Sequence, residues 1–158
     1  MRRAIRAGPA LACALALGAS GCSLLGGGKV APEKPTTVDV AVAAAQRINV
    51  DEGGEALPTV VRLYLLASAA KADAASYEEL YRGAEALGPD VLASDEVVLS
   101  PGDTARKRLA AEKPARALLA VGIFRRPTGT SWRALVPIER GEPREVTLRV
   151  EDYRIERR

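Results

Sequence analysis

The sequence predicts an all-β fold, an antiparallel β-sandwich of two sheets with one inserted α-helix. Three features of the chain support this prediction. Apolar residues alternate with polar ones in several segments, as in strands that bury one face. Turn-forming residues separate these segments at short intervals, and only one segment has clear helical spacing. A parallel α/β fold would require helices between most strands, so we reject it.

The first two predicted strands flank a polar loop. Residues 36–48 place Val38, Val40 and Val42 on one face of an extended chain. Residues 59–66 are apolar on both faces except at Arg62, which indicates a central strand. The ten residues between them are rich in acids and glycine, and the loop is longer than a tight hairpin needs.

The helix is predicted to follow the second strand. Ser76 and Glu79 have the spacing of a capping box, which satisfies two backbone N–H groups at a helix start. Gly88 and Pro89 supply the stop signal. Between these limits one face carries the apolar residues Tyr77, Leu80, Tyr81, Ala84 and Leu87.

The remaining strands follow in quick succession. They are predicted at 96–99, at 104–111 after the turn at Pro101, at 116–124, and around 132–138. A seventh strand closes the chain. In that strand Val150 and Ile155 are separated by an odd number of positions, so in a regular strand their side chains would lie on opposite faces. We expect a β-bulge near Glu151 and Asp152 to bring both to the buried face.

The amino terminus has the pattern of a bacterial lipoprotein signal. Arg2, Arg3 and Arg6 precede the apolar run 10–19, and small residues then lead to Cys22. The alternatives are a transmembrane anchor, an ordinary secretory signal and a buried helix. The run is too short to span the ~20 residues of a hydrocarbon core.

The signal predicts the maturation and destination of the chain. Cleavage is expected between Gly21 and Cys22, with acylation of Cys22 by chains such as palmitate. Ser23 stands where an Asp would commonly retain the protein in the inner membrane, so the outer membrane is the predicted location.

Three segments therefore make up the chain. Residues 1–21 are the signal peptide, 22–35 a flexible tether rich in glycine and proline, and 36–158 the β-sandwich domain. The precursor has a net charge of +3, and loss of the three arginines of the signal leaves a net charge of 0. Charge therefore gives no argument for nucleic-acid binding.

Composition also argues against catalysis. The chain has no histidine, the commonest general base and metal ligand, and Cys22 is the only thiol left after cleavage. No intramolecular disulfide can form. The acidic loop lacks the alternating ligands and closing Glu of a calcium-binding EF-hand. We therefore predict no enzymatic activity, no cofactor and no metal site.

In order and spacing, the landmarks of the chain resemble the TssJ family, outer-membrane lipoproteins of the bacterial type VI secretion system. The resemblance covers nearly all of the mature domain. Its landmarks, behind the lipidation signal, are Ile48-Asn49, Pro58 with residues 60–66, Tyr77 with Leu80-Tyr81, residues 87–92, Glu96, Leu99, Pro101-Gly102, residues 120–125 and Trp132-Arg133. One departure is Ala72, where the family usually carries a bulky aromatic that docks the helix.

The resemblance implies a transthyretin-like sandwich and a role in assembly. Members of this family anchor the membrane complex by binding the periplasmic carboxy-terminal part of TssM, an inner-membrane protein, with TssL nearby. In the family, the contact with TssM lies in the loop between the first two strands. In this sequence the loop residues are Asn49, Val50, Asp51, Glu52, Gly53, Gly54, Glu55, Ala56 and Leu57. The acids are expected to steer the partner, and Leu57 to supply an apolar contact.

A second hypothesis is a lipoprotein that uses its sandwich to bind a small ligand, a sugar or a peptide. Exposed aromatic side chains would favour it. The sequence has only six aromatic residues, and most have positions typical of a core.

Overall fold

A computed structural model describes residues 34–139 and 144–158. The predicted signal peptide, the predicted acylation site Cys22 and the predicted tether up to residue 33 lie outside the described residues. The described chain forms eight strands and two short α-helices. Their bounds are β1 Thr36–Ile48, β2 Thr59–Leu66, α1 Ala70–Ala74, α2 Tyr77–Arg82, β3 Val91–Leu99, β4 Thr104–Ala111, β5 Ala117–Ile123, β6 Arg133–Pro137, β7 Arg144–Asp152 and β8 Arg154–Arg157.

The strands form two four-stranded sheets, which we call sheet A and sheet B. Sheet A has the order β4-β1-β7-β8 and sheet B the order β3-β2-β5-β6. This confirms the predicted β-sandwich. Every neighbouring pair is antiparallel except β1 and β7, which run parallel in the middle of sheet A. Sequence periodicity carries no information on strand direction, so this pair was not predicted.

The inner faces of the two sheets form the core. Val38, Val40 and Val42 of β1 are at most 1% exposed, as the alternation predicted. Leu63 of β2 and Leu148 of β7 are fully buried in the same cluster. Burying each such side chain contributes roughly 1.5–3 kcal/mol. Strand β2 lies between β3 and β5, which confirms its predicted central position.

The predicted β-bulge at the end of the chain is wrong, because a tight turn takes its place. Glu151 pairs with Arg154, so Asp152 and Tyr153 reverse the chain, with Asp152 at φ 49°. Val150 then lies opposite Ile155, and directly paired residues share one face of a sheet. The odd spacing of Val150 and Ile155 therefore arises because an eighth strand folds back on the seventh.

The helical segment is shorter and more divided than predicted. The capping box of Ser76 and Glu79 is present, but α2 ends at Arg82 and does not reach Leu87. Gly83 follows at φ 153°, a conformation that glycine adopts readily. A single 3₁₀ turn at Gly88–Asp90 then leads into β3.

Residues 67–90 fold over the outer face of sheet B, where two arginines hold the helices. Arg62 donates to the carbonyl oxygens of Leu80 and Tyr81, at 3.1 and 2.8 Å. Arg133 lies in the same row across the sheet, since Val121 pairs with both arginines. Cations stabilise the carboxyl end of a helix because its last carbonyl groups have no partner within the helix.

Arg133 makes the larger set of contacts. Its guanidinium donates to the carbonyl oxygens of Ala72 and Ala75 from one nitrogen, and to that of Asp73, at 2.8 Å, from the other. It also stacks 5.0 Å from the ring centroid of Trp132. These bonds dock the short helix α1, in which Ala72 is fully buried.

We predict that Arg133→Met destabilises the domain by about 2–3 kcal/mol, since it leaves partly buried carbonyl groups without donors. The measurement is urea denaturation, with hydrogen exchange of residues 67–90 as a local probe. Arg106→Met is the matched control, because Arg106 is exposed on β4. Its expected effect is within ~0.5 kcal/mol. Equal losses from the two variants would show that the guanidinium does not dock the helices.

Candidate functional site

The loop 49–58 begins with an asparagine that fixes its direction. Asn49 is 6% exposed and adopts φ 45°, a left-handed conformation that asparagine tolerates better than most residues. Its side-chain oxygen accepts a hydrogen bond from the backbone N–H of Arg125 at 2.9 Å. Its side-chain nitrogen donates to the carbonyl of Pro58 at 3.3 Å. One side chain thus joins both ends of the loop to the segment after β5.

A second set of contacts holds the next residue. Val50 is 3% exposed, and its carbonyl accepts a hydrogen bond from the Tyr153 hydroxyl at 2.5 Å. The ring of Tyr153 packs edge-on against Phe124, with centroids 6.5 Å apart. The ring of Phe124 in turn covers Gly122, where a side chain would collide with the ring.

The tip of the loop is a preformed turn. The backbone N–H of Asp51 donates to the carbonyl of Glu55 at 2.9 Å, and the N–H of Glu55 donates back to Oδ1 of Asp51 at 2.8 Å. Gly54, at φ 88°, lies inside this turn. Such internal bonds lower the conformational entropy that a partner must remove on binding.

The nine residues predicted as the partner-binding loop differ in accessibility. Glu52, Gly53, Gly54 and Glu55 are exposed, and Asp51, Ala56 and Leu57 are half-buried. Asn49 and Val50 are buried, so they position the loop and offer little surface to a partner. The residues that hold them, Tyr153 and Arg125, could not be predicted from local patterns, because they lie far along the chain.

Charges of both signs lie side by side at this end of the domain. The loop tip carries three carboxylates, and the segment after β5 carries Arg125 and Arg126. Arg126 approaches Glu52 at 3.9 Å, with both side chains more than half exposed. An exposed pair of this kind contributes little to stability. Its charges therefore stay available to a partner.

Carboxyl groups with shifted pKa values lie elsewhere, mostly on the strands. Hydrogen bonds from Arg108, Lys107 and Arg149 lower the pKa values of Asp39, Asp95 and Glu151 below the usual range. Each carboxylate is therefore ionised at neutral pH and already paired. Within the described residues no group of three acidic, histidine or cysteine side chains is arranged to hold a metal ion.

The two ends of β1 lie at opposite ends of the sandwich. The strand enters at Thr36 and delivers the chain to the loop after Ile48. Thirteen residues at about 3.3 Å each separate the points by roughly 40 Å. The candidate loop is thus on the side of the domain away from the entry of the amino-terminal segment.

This fold and loop define a class of protein: a β-sandwich with a preformed polar loop between its first two strands. The family model of the type VI secretion lipoproteins, described by the members VasD, EvfM and TssJ, matches residues 36–153. The chain belongs to this family. No helix in the two described ranges is long and apolar enough to cross a membrane.

Solved structures show the same fold. The type VI lipoprotein TssJ1 from Pseudomonas aeruginosa is 26% identical, with a TM-score of 0.69 over 78% of this chain and 97% of that chain. Lip from Serratia marcescens, a membrane-bound component of the secretion system, is 22% identical, with a TM-score of 0.65 over 78% and 96%. A chain of a type VI membrane complex is 25% identical, with a TM-score of 0.64 over 76% and 95%. No curated protein matches the chain.

We predict that Asn49→Ala destabilises the domain by about 2–3 kcal/mol, because it removes two hydrogen bonds and places alanine in a left-handed conformation. Asn49→Gly also loses the bonds but tolerates the positive φ, so its expected loss is smaller by about 1 kcal/mol. Equilibrium urea denaturation measures both. Two variants as stable as the parent would refute the role of the side chain in closing the loop.

Proposed function

We propose that this protein is acylated at Cys22, is held in the outer membrane with its domain in the periplasm, and binds the periplasmic carboxy-terminal part of TssM. The contact lies at the loop tip, residues 51–57. TssL is joined to the assembly indirectly, through TssM. The role is mechanical: the domain joins a lipid anchor to an inner-membrane protein, without catalysis.

The observation that carries this proposal is the preformed loop after Ile48, at the opposite end of β1 from Thr36. A partner rooted in the inner membrane approaches from that side. Membership of the type VI secretion lipoprotein family and the likeness to a chain of a type VI membrane complex support the same role.

The two attachments have different physical origins. Each buried methylene of an acyl chain contributes about 0.8 kcal/mol, so several chains hold a lipoprotein in its membrane for long times. The protein contact is polar at its rim. Glu52 and Glu55 accelerate the encounter with a basic surface, and the half-buried Ala56 and Leu57 supply apolar area.

We predict that the double variant Glu52→Lys, Glu55→Lys weakens binding to the TssM periplasmic part by about tenfold or more, mainly through slower association. Biolayer interferometry on the acylated protein in detergent measures both rates. The matched control is Glu145→Lys with Glu156→Lys, two exposed acids on sheet A. Deleting residues 51–55 should abolish binding.

Two results would contradict the loop contact. One is unchanged affinity of the deletion variant while its circular dichroism and melting temperature show a folded domain. The other is an equal loss of affinity in the sheet A control, which would show a general charge effect with no special role for the loop.

We predict that Cys22→Ser abolishes incorporation of labelled palmitate and moves the protein from the outer-membrane fraction to the soluble periplasm. The reason is that serine offers no thiol for acylation. Ser23→Asp tests the destination separately: labelling should persist while the protein shifts to the inner membrane. Continued labelling of the Cys22→Ser variant would place the acyl chain elsewhere.

A further inference from the structure

An aromatic groove lies between α2 and the segment that follows β5. Its lining residues are Tyr77, Glu78, Tyr81, Arg82, Phe124, Arg125 and Pro127. We call this the aromatic groove. It is separate from the loop tip and meets the contacts that hold the base of the loop at two points, the ring of Phe124, which packs against Tyr153, and the backbone of Arg125.

The floor of the aromatic groove is rigid. The Tyr77 hydroxyl donates to the carbonyl of Phe124 at 2.7 Å, and the Tyr77 ring packs edge-on against Trp132, with centroids 5.2 Å apart. Burial raises the pKa of Tyr77, so the hydroxyl keeps its proton and remains a donor. The groove therefore exists before any partner arrives.

Tyr81 forms the open side of the groove. Its ring lies 5.9 Å from that of Tyr77 and is tilted by 40°. The residue is 54% exposed, and its hydroxyl makes no hydrogen bond within the described residues. The fold thus stabilises Tyr77 and leaves Tyr81 with an apolar surface that nothing in the described chain covers.

The outer face of sheet B also carries an apolar row. Val60 pairs with both Val98 and Ile123, so the three side chains share one row on the outer face. The next row contains Arg62, which the helix α2 covers. Val98 is 67% exposed. Among described residues, Tyr81 and Val98 are the most exposed large apolar side chains.

The polar residues of the groove favour a carboxylate. Arg82 and Arg125 are exposed at its rim, and neither forms an ion pair within residues 34–139 and 144–158. Most arginines of the sheets, such as Arg62 and Arg108, are already paired with acids. Glu78 is the one acid of the lining, so the rim has an excess of positive charge.

Arg125 connects the aromatic groove with the base of the loop. Its side chain lines the groove, while its backbone N–H donates to Asn49 at the base of the loop. We propose that the partner that contacts the loop tip also fills the aromatic groove, with an extended segment that sets an apolar side chain against Tyr81 and a carboxylate between Arg82 and Arg125. This inference rests on the proposed function and defines the chemistry of the second contact.

The test compares groove variants in the same binding assay with the acylated protein and the TssM periplasmic part. Tyr81→Ala should weaken binding by about tenfold or more, mainly through faster dissociation, since aromatic anchors dominate interface energies. Tyr81→Phe is the matched control and should bind within about twofold of the parent, because the hydroxyl has no partner. Tyr81 is exposed, so the melting temperatures of both variants should be unchanged.

Arg125→Glu tests the charge. It should weaken binding by about tenfold and reduce the dependence of affinity on salt, whereas Arg106→Glu on sheet A should do neither. The backbone bond to Asn49 does not depend on the Arg125 side chain, so the loop stays closed in this variant.

The outcomes separate this inference from the proposed function. Loss of binding in the loop variants, with parental affinity in Tyr81→Ala and Arg125→Glu, would overturn the groove contact and leave the proposed function intact. No binding by the parent protein would overturn both. A dimer seen by ultracentrifugation and abolished by Tyr81→Ala, or thermal stabilisation by an oligosaccharide that needs Tyr81, each with unchanged affinity for the partner, would assign the groove to another occupant and overturn the inference.

Discussion

The hydrogen bonds from Arg62 and Arg133 to helix carbonyl groups are the constraint on which the rest of the domain depends. Helices of five and six residues are too short to persist alone in water. The sheet supplies what they lack, since two guanidinium groups in one row of sheet B satisfy their last carbonyls. With α2 fixed, Tyr77 reaches Phe124, and the adjacent Arg125 meets Asn49. The docking of the helices and the closing of the loop are therefore linked through the segment after β5.

The sequence predicted most of the strands because their burial pattern has a period of two. It could not predict the parallel pairing of β1 with β7, which depends on the order of strands in space. Arg62 was the one exception in an otherwise apolar strand. The structure explains it, because the Arg62 side chain donates to the carboxyl end of helix α2. A polar residue in an apolar strand indicates that another part of the chain packs over that face of the sheet, although it does not show which part.

The resemblance indicated which loop to consider, but only the structure distinguishes the residues that position the loop from those that are exposed. Asn49 bonds to a residue 76 positions away and Val50 to one 103 positions away, and no local pattern encodes such contacts. The aromatic groove was hidden for a similar reason. Tyr77 and Tyr81 occupy one apolar face of the helical segment, yet the ring of Tyr77 packs against Trp132 while Tyr81 is half exposed.

The path of β1 has a mechanical consequence under the proposed function. A pull between the membrane and a partner at the loop enters the domain at Thr36 and leaves it after Ile48, so it runs along one strand. That strand is already extended and can lengthen little, since an extended chain spans at most about 3.3–3.6 Å per residue. It is also paired on both sides, with β4 and with β7. The load therefore passes along covalent bonds from anchor to loop, and no contact between the two sheets has to carry it.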